Sequence, residues 1–109
     1  MREYEIVFAP TAYEDLDEIL GWLSDKAPEK VPEWYAAIHA HIQTLSRLPE
    51  RCPYAPENGL WGTEELRQLL FQAYPSKYRI IFTVAKSRVQ ILQIRHGARR
   101  YLHEEENEL

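Results

Sequence analysis

Apolar and polar residues alternate at the start of the chain, where Tyr4, Ile6 and Phe8 are separated by Glu5 and Val7. A period of two predicts a strand over residues 3–8. From Pro10 the period lengthens. Ala12, Leu16, Ile19, Leu20 and Leu23 fall on one stripe of a helix. Proline suits the first helical position. Glu14, Asp15, Asp17 and Glu18 suit the positive end of its dipole, and Pro28 ends it. Val31, Trp34, Tyr35, Ile38, Ile42, Leu45 and Leu48 form a second stripe. They predict a helix over residues 29–48, stopped by Pro49. Two helices joined this closely pack as an antiparallel hairpin, and their stripes together suffice to cover one face of a sheet.

Residues 49–65 read as loop, with Pro49, Pro53, Pro56, Asn58, Gly59 and Gly62. Three strands rich in β-branched and aromatic residues follow, over 66–74, 77–84 and 88–95. Short connections at Pro75-Ser76 and Ala85-Lys86-Ser87 make them an antiparallel meander. The expected fold is therefore α+β with the order β-α-α-β-β-β, in one domain over residues 1–103. Residues 104–109 form an acidic tail, read as disordered.

Charge changes this picture. The formal net charge of −4 argues against a general nucleic-acid binder. Its distribution is uneven, however. Residues 1–65 hold 13 acids and 5 bases, whereas residues 66–103 hold 8 bases and no acid. That block reads either as ordinary solvated strand positions or as a positive face for an acidic partner. The single cysteine, Cys52, allows no internal disulfide and suits a reducing, cytoplasmic setting. Residues 1–20 show no signal-peptide pattern, and no apolar run is long enough to span a bilayer.

Candidate chemistry is sparse. The chain lacks a Gly-rich phosphate loop, CxxC, HExxH and Gly-x-Ser-x-Gly, so neither cofactor nor metal is expected. His39 and His41, two apart on a helix, point to different sides and make a poor metal pair. Cys52 has no evident base beside it and reads as an unreactive thiol. Arg79 sits mid-strand, Arg67 starts the strand before it and Arg95 ends the strand after it. The three share a face if the register allows. The ending Arg95-His96-Gly97-Ala98-Arg99-Arg100-Tyr101 sends several cations and a tunable histidine out of the sheet together. It reads either as a site for phosphate or carboxylate or as a strand end fraying into solvent.

These segments together resemble the RelE/ParE superfamily of toxins from bacterial type II toxin–antitoxin modules. The residues that carry the resemblance are Tyr4-x-Ile6-Val7-Phe8, Pro10-x-Ala12-x-x-Asp15-Leu16-x-x-Ile19, Leu45-x-x-Leu48-Pro49, Leu66-Arg67-x-Leu69, Tyr78-Arg79-Ile80-Ile81-Phe82 and Ile91-Leu92-x-Ile94-x-His96-Gly97-x-Arg99. The resemblance implies a helical hairpin on a twisted antiparallel sheet, and a cognate antitoxin bound through an extended, often acidic segment. Arg67, Arg79, Arg95, Arg100 and Tyr101 are the candidate residues for binding the antitoxin or the target.

The superfamily divides by target. RelE-like members cut messenger RNA on the ribosome. For that branch Arg79 and Arg99 correspond to phosphate-binding arginines, with His96 or Tyr101 as the proton-transfer group. Leu69, Leu70 and Phe71 stand where that branch carries lysines. ParE-like members inhibit DNA gyrase by protein contact and need no catalytic residues. The acidic total charge and the His96-Gly97-x-Arg99 ending bring this chain nearer that branch. A relative that only binds its antitoxin is the third reading. A homodimer is a further possibility, with Trp22 and Trp34 as candidates for an exposed apolar contact.

Overall fold

The structure, a computed structural model, describes residues 3–60, 62, 64–73 and 76–96. The element order is β1 (Glu5–Phe8), α1 (Pro10–Lys26), α2 (Val31–Gln43), β2 (Arg67–Ala73), β3 (Ser76–Ala85) and β4 (Arg88–His96). The α+β class and the β-α-α-β-β-β order hold. The acidic tail, and with it Arg99, Arg100 and Tyr101, lies outside the described residues.

The four strands form one sheet in the order β1-β4-β3-β2. β2, β3 and β4 make the expected antiparallel meander. β1 instead pairs parallel with β4, Phe8 opposite Ile91, so the sheet is mixed rather than wholly antiparallel. The long excursion through two helices and two strands supplies the crossover that a parallel pair requires. The β3–β4 register slips between Ile81↔Gln93 and Phe82↔Ile91, which leaves Leu92 as an extra residue on β4. Such bulges sharpen the local twist.

β1 is short, and α1 takes over as the neighbour of β4 where β1 stops. The Thr11 hydroxyl donates to the Leu92 carbonyl at 2.6 Å, and one helical turn later Asp15 Oδ2 accepts the Ile94 amide at 2.9 Å. These bonds satisfy backbone groups that would otherwise be an open sheet edge. They also show that α1 advances in the same direction as β4. No acid lies in the first turn of α1. Asp15, expected to favour the helix dipole, serves this edge instead.

One face of the sheet carries the main core. Leu16, Trp34, Ile38 and Ile42 from the helices meet Tyr78, Ile80, Phe82, Ile91 and Ile94 from the sheet. Trp34 is 6% exposed and stacks edge-on against Tyr78, whereas Trp22 is 49% exposed. Of the two tryptophans, only Trp22 is available for an external contact.

α2 is shorter than its stripe predicts. The Thr44 hydroxyl donates to the His41 carbonyl, and the chain tightens into a 3₁₀ turn at Thr44–Ser46. The Arg51 guanidinium then collects the carbonyls of Arg47 at 2.8 Å and Leu48 at 3.2 Å. Leu48, expected on the apolar stripe, is exposed and takes a left-handed φ of 48°.

The other face is closed by the segment read as loop. Ala55 and Leu66 pack on Ile81, with Leu92 beside them. Ala55 and Leu66 are tied by a backbone bond of 2.7 Å, and Asn58 Oδ1 accepts the Leu66 amide at 2.8 Å. The described residues between Cys52 and Leu66 thus form a covering layer. That explains why Tyr78–Thr83 is buried without a break, although strands with one wet face alternate.

Candidate functional site

The register places the cations of the strand block. Arg79 lies opposite Leu70 on one side and opposite Arg95 on the other, so these three share the loop-covered face. Arg67 lies opposite Phe82, whose side chain belongs to the helix-side core. Arg67 therefore does not share a face with Arg79 and Arg95. It donates to the carbonyls of Cys52 at 2.7 Å and Glu50 at 3.2 Å, and lies over the Tyr54 ring at 4.3 Å. It pins the start of the loop to the edge of β2.

Arg79 is engaged more deeply. It is 7% exposed, and its Nη1 and Nη2 donate to Glu57 Oε1 at 3.1 Å and Oε2 at 2.7 Å. Gln68 Oε1 accepts a further bond at 3.0 Å. Glu57 is 2% exposed. Burial alone would raise its carboxyl. The hydrogen bonds from Arg79 and from its own backbone amide, with the charges of Arg79 and Arg95, overcome this and hold it below the ordinary glutamate value. A parallel two-bond fork of this kind is the strongest geometry an arginine offers a carboxylate. Here the carboxylate comes from the protein itself.

His96 leaves β4 on the opposite face. It pairs with Tyr78 in the register, its Nε2 lies 3.2 Å from the Ser76 hydroxyl, and its ring meets those of Tyr78 at 5.1 Å and Trp22 at 6.4 Å. Arg79 and His96 are thus separated by the thickness of the sheet. The two described members of the candidate nuclease set do not converge, and Arg99 and Tyr101 lie outside the described residues. Arg95 sits at the strand end, half-buried, where its charge acts on both Glu57 and Asp15.

The concave feature of this end is a cleft of about 370 Å³ between α1 and the ends of β3 and β4. Asp15 and Glu18 line its helix side, Arg95 its strand side, and Trp22, Tyr78 and His96 its aromatic wall. Burial pushes the Asp15 carboxyl above its ordinary value, and nearby Glu18 and Glu14 add to this against the Ile94 amide and Arg95. Burial likewise pushes the Tyr78 phenol up. A second cleft of about 500 Å³ adjoins the first through Trp22 and Tyr78. Trp34 and Phe71 form its apolar floor, with Lys26 and Lys30 at its rim.

Elsewhere the candidates are occupied structurally. Cys52 is buried, which pushes its thiol up and away from thiolate chemistry at neutral pH. His41 Nε2 donates to the Leu70 carbonyl at 2.7 Å on the free edge of β2, and His39 stacks on Tyr35. Among the described residues, no cluster of His, Cys, Asp or Glu has a metal-holding arrangement, and no helix is long and apolar enough to cross a membrane.

Reasoning from sequence missed Glu57, Asp15 and the cleft. One signal was present: a strand block without acids must draw its counter-charges from elsewhere, and Glu57 is one of the acids in the loop that precedes it. Asp15 was visible one turn after Thr11 on the same helix face.

Residues 6–101 match the family described as "ParE toxin of type II toxin-antitoxin system, parDE". A solved structure titled "Chromosomal ParDE TA system from P. aeruginosa" is similar to this one, with a TM-score of 0.69 at 21% identity, over 86% of this chain and 96% of that chain. At that identity the likeness is one of fold. No curated protein matches the chain.

Proposed function

This chain belongs to the ParE toxin family of type II toxin–antitoxin systems, and from that premise we propose that it arrests growth by binding DNA gyrase rather than by cutting RNA. Its partner in such a module is an antitoxin. The observation that carries the reading is the engagement of Arg79. Its fork is taken by Glu57 on one face of the sheet, while His96 sits on the other. Cleavage of RNA needs a base for the 2′-hydroxyl and cations for the developing charge within reach of one phosphate. A buried arginine already paired to an internal carboxylate does not offer that. Inhibition by contact asks only for a stable shape and an exposed patch. Acting on gyrase, the chain would work in the cytoplasm.

Arg95, with Arg100 and Tyr101 beyond it, remains the candidate binding set for antitoxin or target. Arg67 and Arg79 hold the loop. The test uses the purified chain in two assays: supercoiling by gyrase, and translation in a cell-free extract with message integrity followed. The expected result is inhibited supercoiling with intact messages. Cut messages with unaffected gyrase would overturn the proposal.

A further inference from the structure

We propose that the outer edge of β2 pairs with the same edge of a second copy of this chain, joining two sheets across a twofold axis. The inference rests on the edge itself and does not depend on which target the toxin binds.

The first support is which backbone groups are open. Along a strand of an antiparallel pair, successive residues turn their N–H and C=O alternately toward the neighbour and away from it. The Leu66 carbonyl accepts from Ala55 at 2.7 Å, the Gln68 amide donates to Pro53 at 3.0 Å, and the Leu70 carbonyl accepts from His41 at 2.7 Å. Leu66, Gln68, Leu70 and Gln72 therefore face outward, and β3 takes the residues between them. Residues 53–55 cover the outward groups as far as Gln68. Beyond that point, among the described residues, nothing engages the Leu70 amide or either backbone group of Gln72. The Leu70 carbonyl keeps a second lone pair beside His41.

The second support is the fit of this stretch to itself. Pairing two copies about Phe71 sets Leu70 of each opposite Gln72 of the other. Every open group then finds a partner, because the Leu70 and Gln72 amides donate across the axis and their carbonyls accept. A register shifted toward the start of β2 would run the second copy into Pro53. The contact is isologous, so it closes at the dimer.

The third support is the side chains. Edge strands are usually guarded by charge, proline or a bulge. The stretch Gln68–Ala73 carries neither charge nor proline, and its register with β3 is unbroken. Across a twofold axis a charge would face its own like, and a neutral strand avoids this. An acidic strand would find no cation on this one. Leu70 is 61% exposed. In the paired register the two Leu70 side chains share a face as diagonal neighbours, within reach of each other. A patch this small implies a weak dimer, with a dissociation constant on the order of tens of micromolar.

The test is sedimentation of the full-length chain from about 1 µM to about 1 mM, where a weak dimer must appear by mass action. Leu70→Pro removes an outward amide without touching a bond to β3, which an edge strand tolerates. It should weaken association at least about tenfold. Leu70→Lys, which places like charges across the axis, is the second variant should the proline disturb the fold, and should weaken it as much. Tyr13→Lys, at an exposed ring stacked on Phe8 at the opposite edge of the sheet, should change nothing. Disulfides read the register. Opposed residues lie about 5.5 Å apart, whereas each residue is about 8 Å from its own counterpart, beyond disulfide reach. Mixing Leu70→Cys with Gln72→Cys under oxidation should therefore give the mixed disulfide at least about fivefold over either symmetric one. Cys52 is buried and does not compete. A chain that stays monomeric throughout would leave the edge to some other strand and overturn the proposal. So would a dimer indifferent to both Leu70 variants, or symmetric disulfides in excess of the mixed one.

Discussion

The two faces of this sheet are closed by different physics. The helix-side face is closed by area: two amphipathic helices lay Leu16, Trp34, Ile38 and Ile42 on Tyr78, Ile80 and Phe82. The opposite face has only Ala55, Leu66, Ile81 and Leu92 as its apolar cluster. There the loop is held down by a buried charge pair, Arg79 to Glu57, while Arg67 pins the loop's start from the helix side through the backbone carbonyls of Glu50 and Cys52. The comparison teaches that basic residues in a strand block are not by themselves a binding surface. Two of the three strand arginines singled out for partners are fixtures of the fold.

The sharpest way to break the comparison is to remove one partner of the buried pair. Arg79→Ala or Glu57→Ala leaves a lone buried charge and should cost about 3–5 kcal/mol, read by denaturant unfolding. Trp34→Ala on the helix side should cost a similar amount, about 3–5 kcal/mol, through the cavity it leaves. The faces differ in their response to acid. Glu57 is depressed below its ordinary 4.5 when folded, so its contribution is fully present above that pH and fades as pH falls below it. Protection of the amides of Ala55, Asn58, Leu60 and Leu66 should therefore be lost in acid before that of α2. Simultaneous loss of both would sink the distinction.

Much of the helix-side face was legible from the chain. The stripe of α1 and the alternation of β1 name their own elements, because periodic burial is what area-driven packing requires. The loop-side face was not legible, because a salt bridge between residues 57 and 79 leaves no periodic trace. The same limit hid the register that separates Arg67 from Arg79, and the parallel place of β1. The second helix was overextended because Leu48 continues a stripe that the Thr44 hydroxyl and Arg51 guanidinium interrupt.

Smaller effects sharpen the account. Asp15→Ala removes the acceptor for the Ile94 amide and should cost about 1–2 kcal/mol in unfolding experiments, with faster exchange of that amide. Leu48→Gly relieves a left-handed backbone at an exposed site and should gain up to about 1 kcal/mol. A loss there would contradict the strained geometry.

The most direct measurement replaces the buried pair as a unit. In Arg79→Met with Glu57→Leu, both charges leave together and apolar side chains fill the space, an exchange that is often neutral or stabilising. If Arg79 serves the fold, this double variant should unfold at or near the wild-type midpoint and still arrest growth when induced. A double variant that folds as well as wild type yet no longer arrests growth would contradict the account, because it would give Arg79 a role beyond holding the loop.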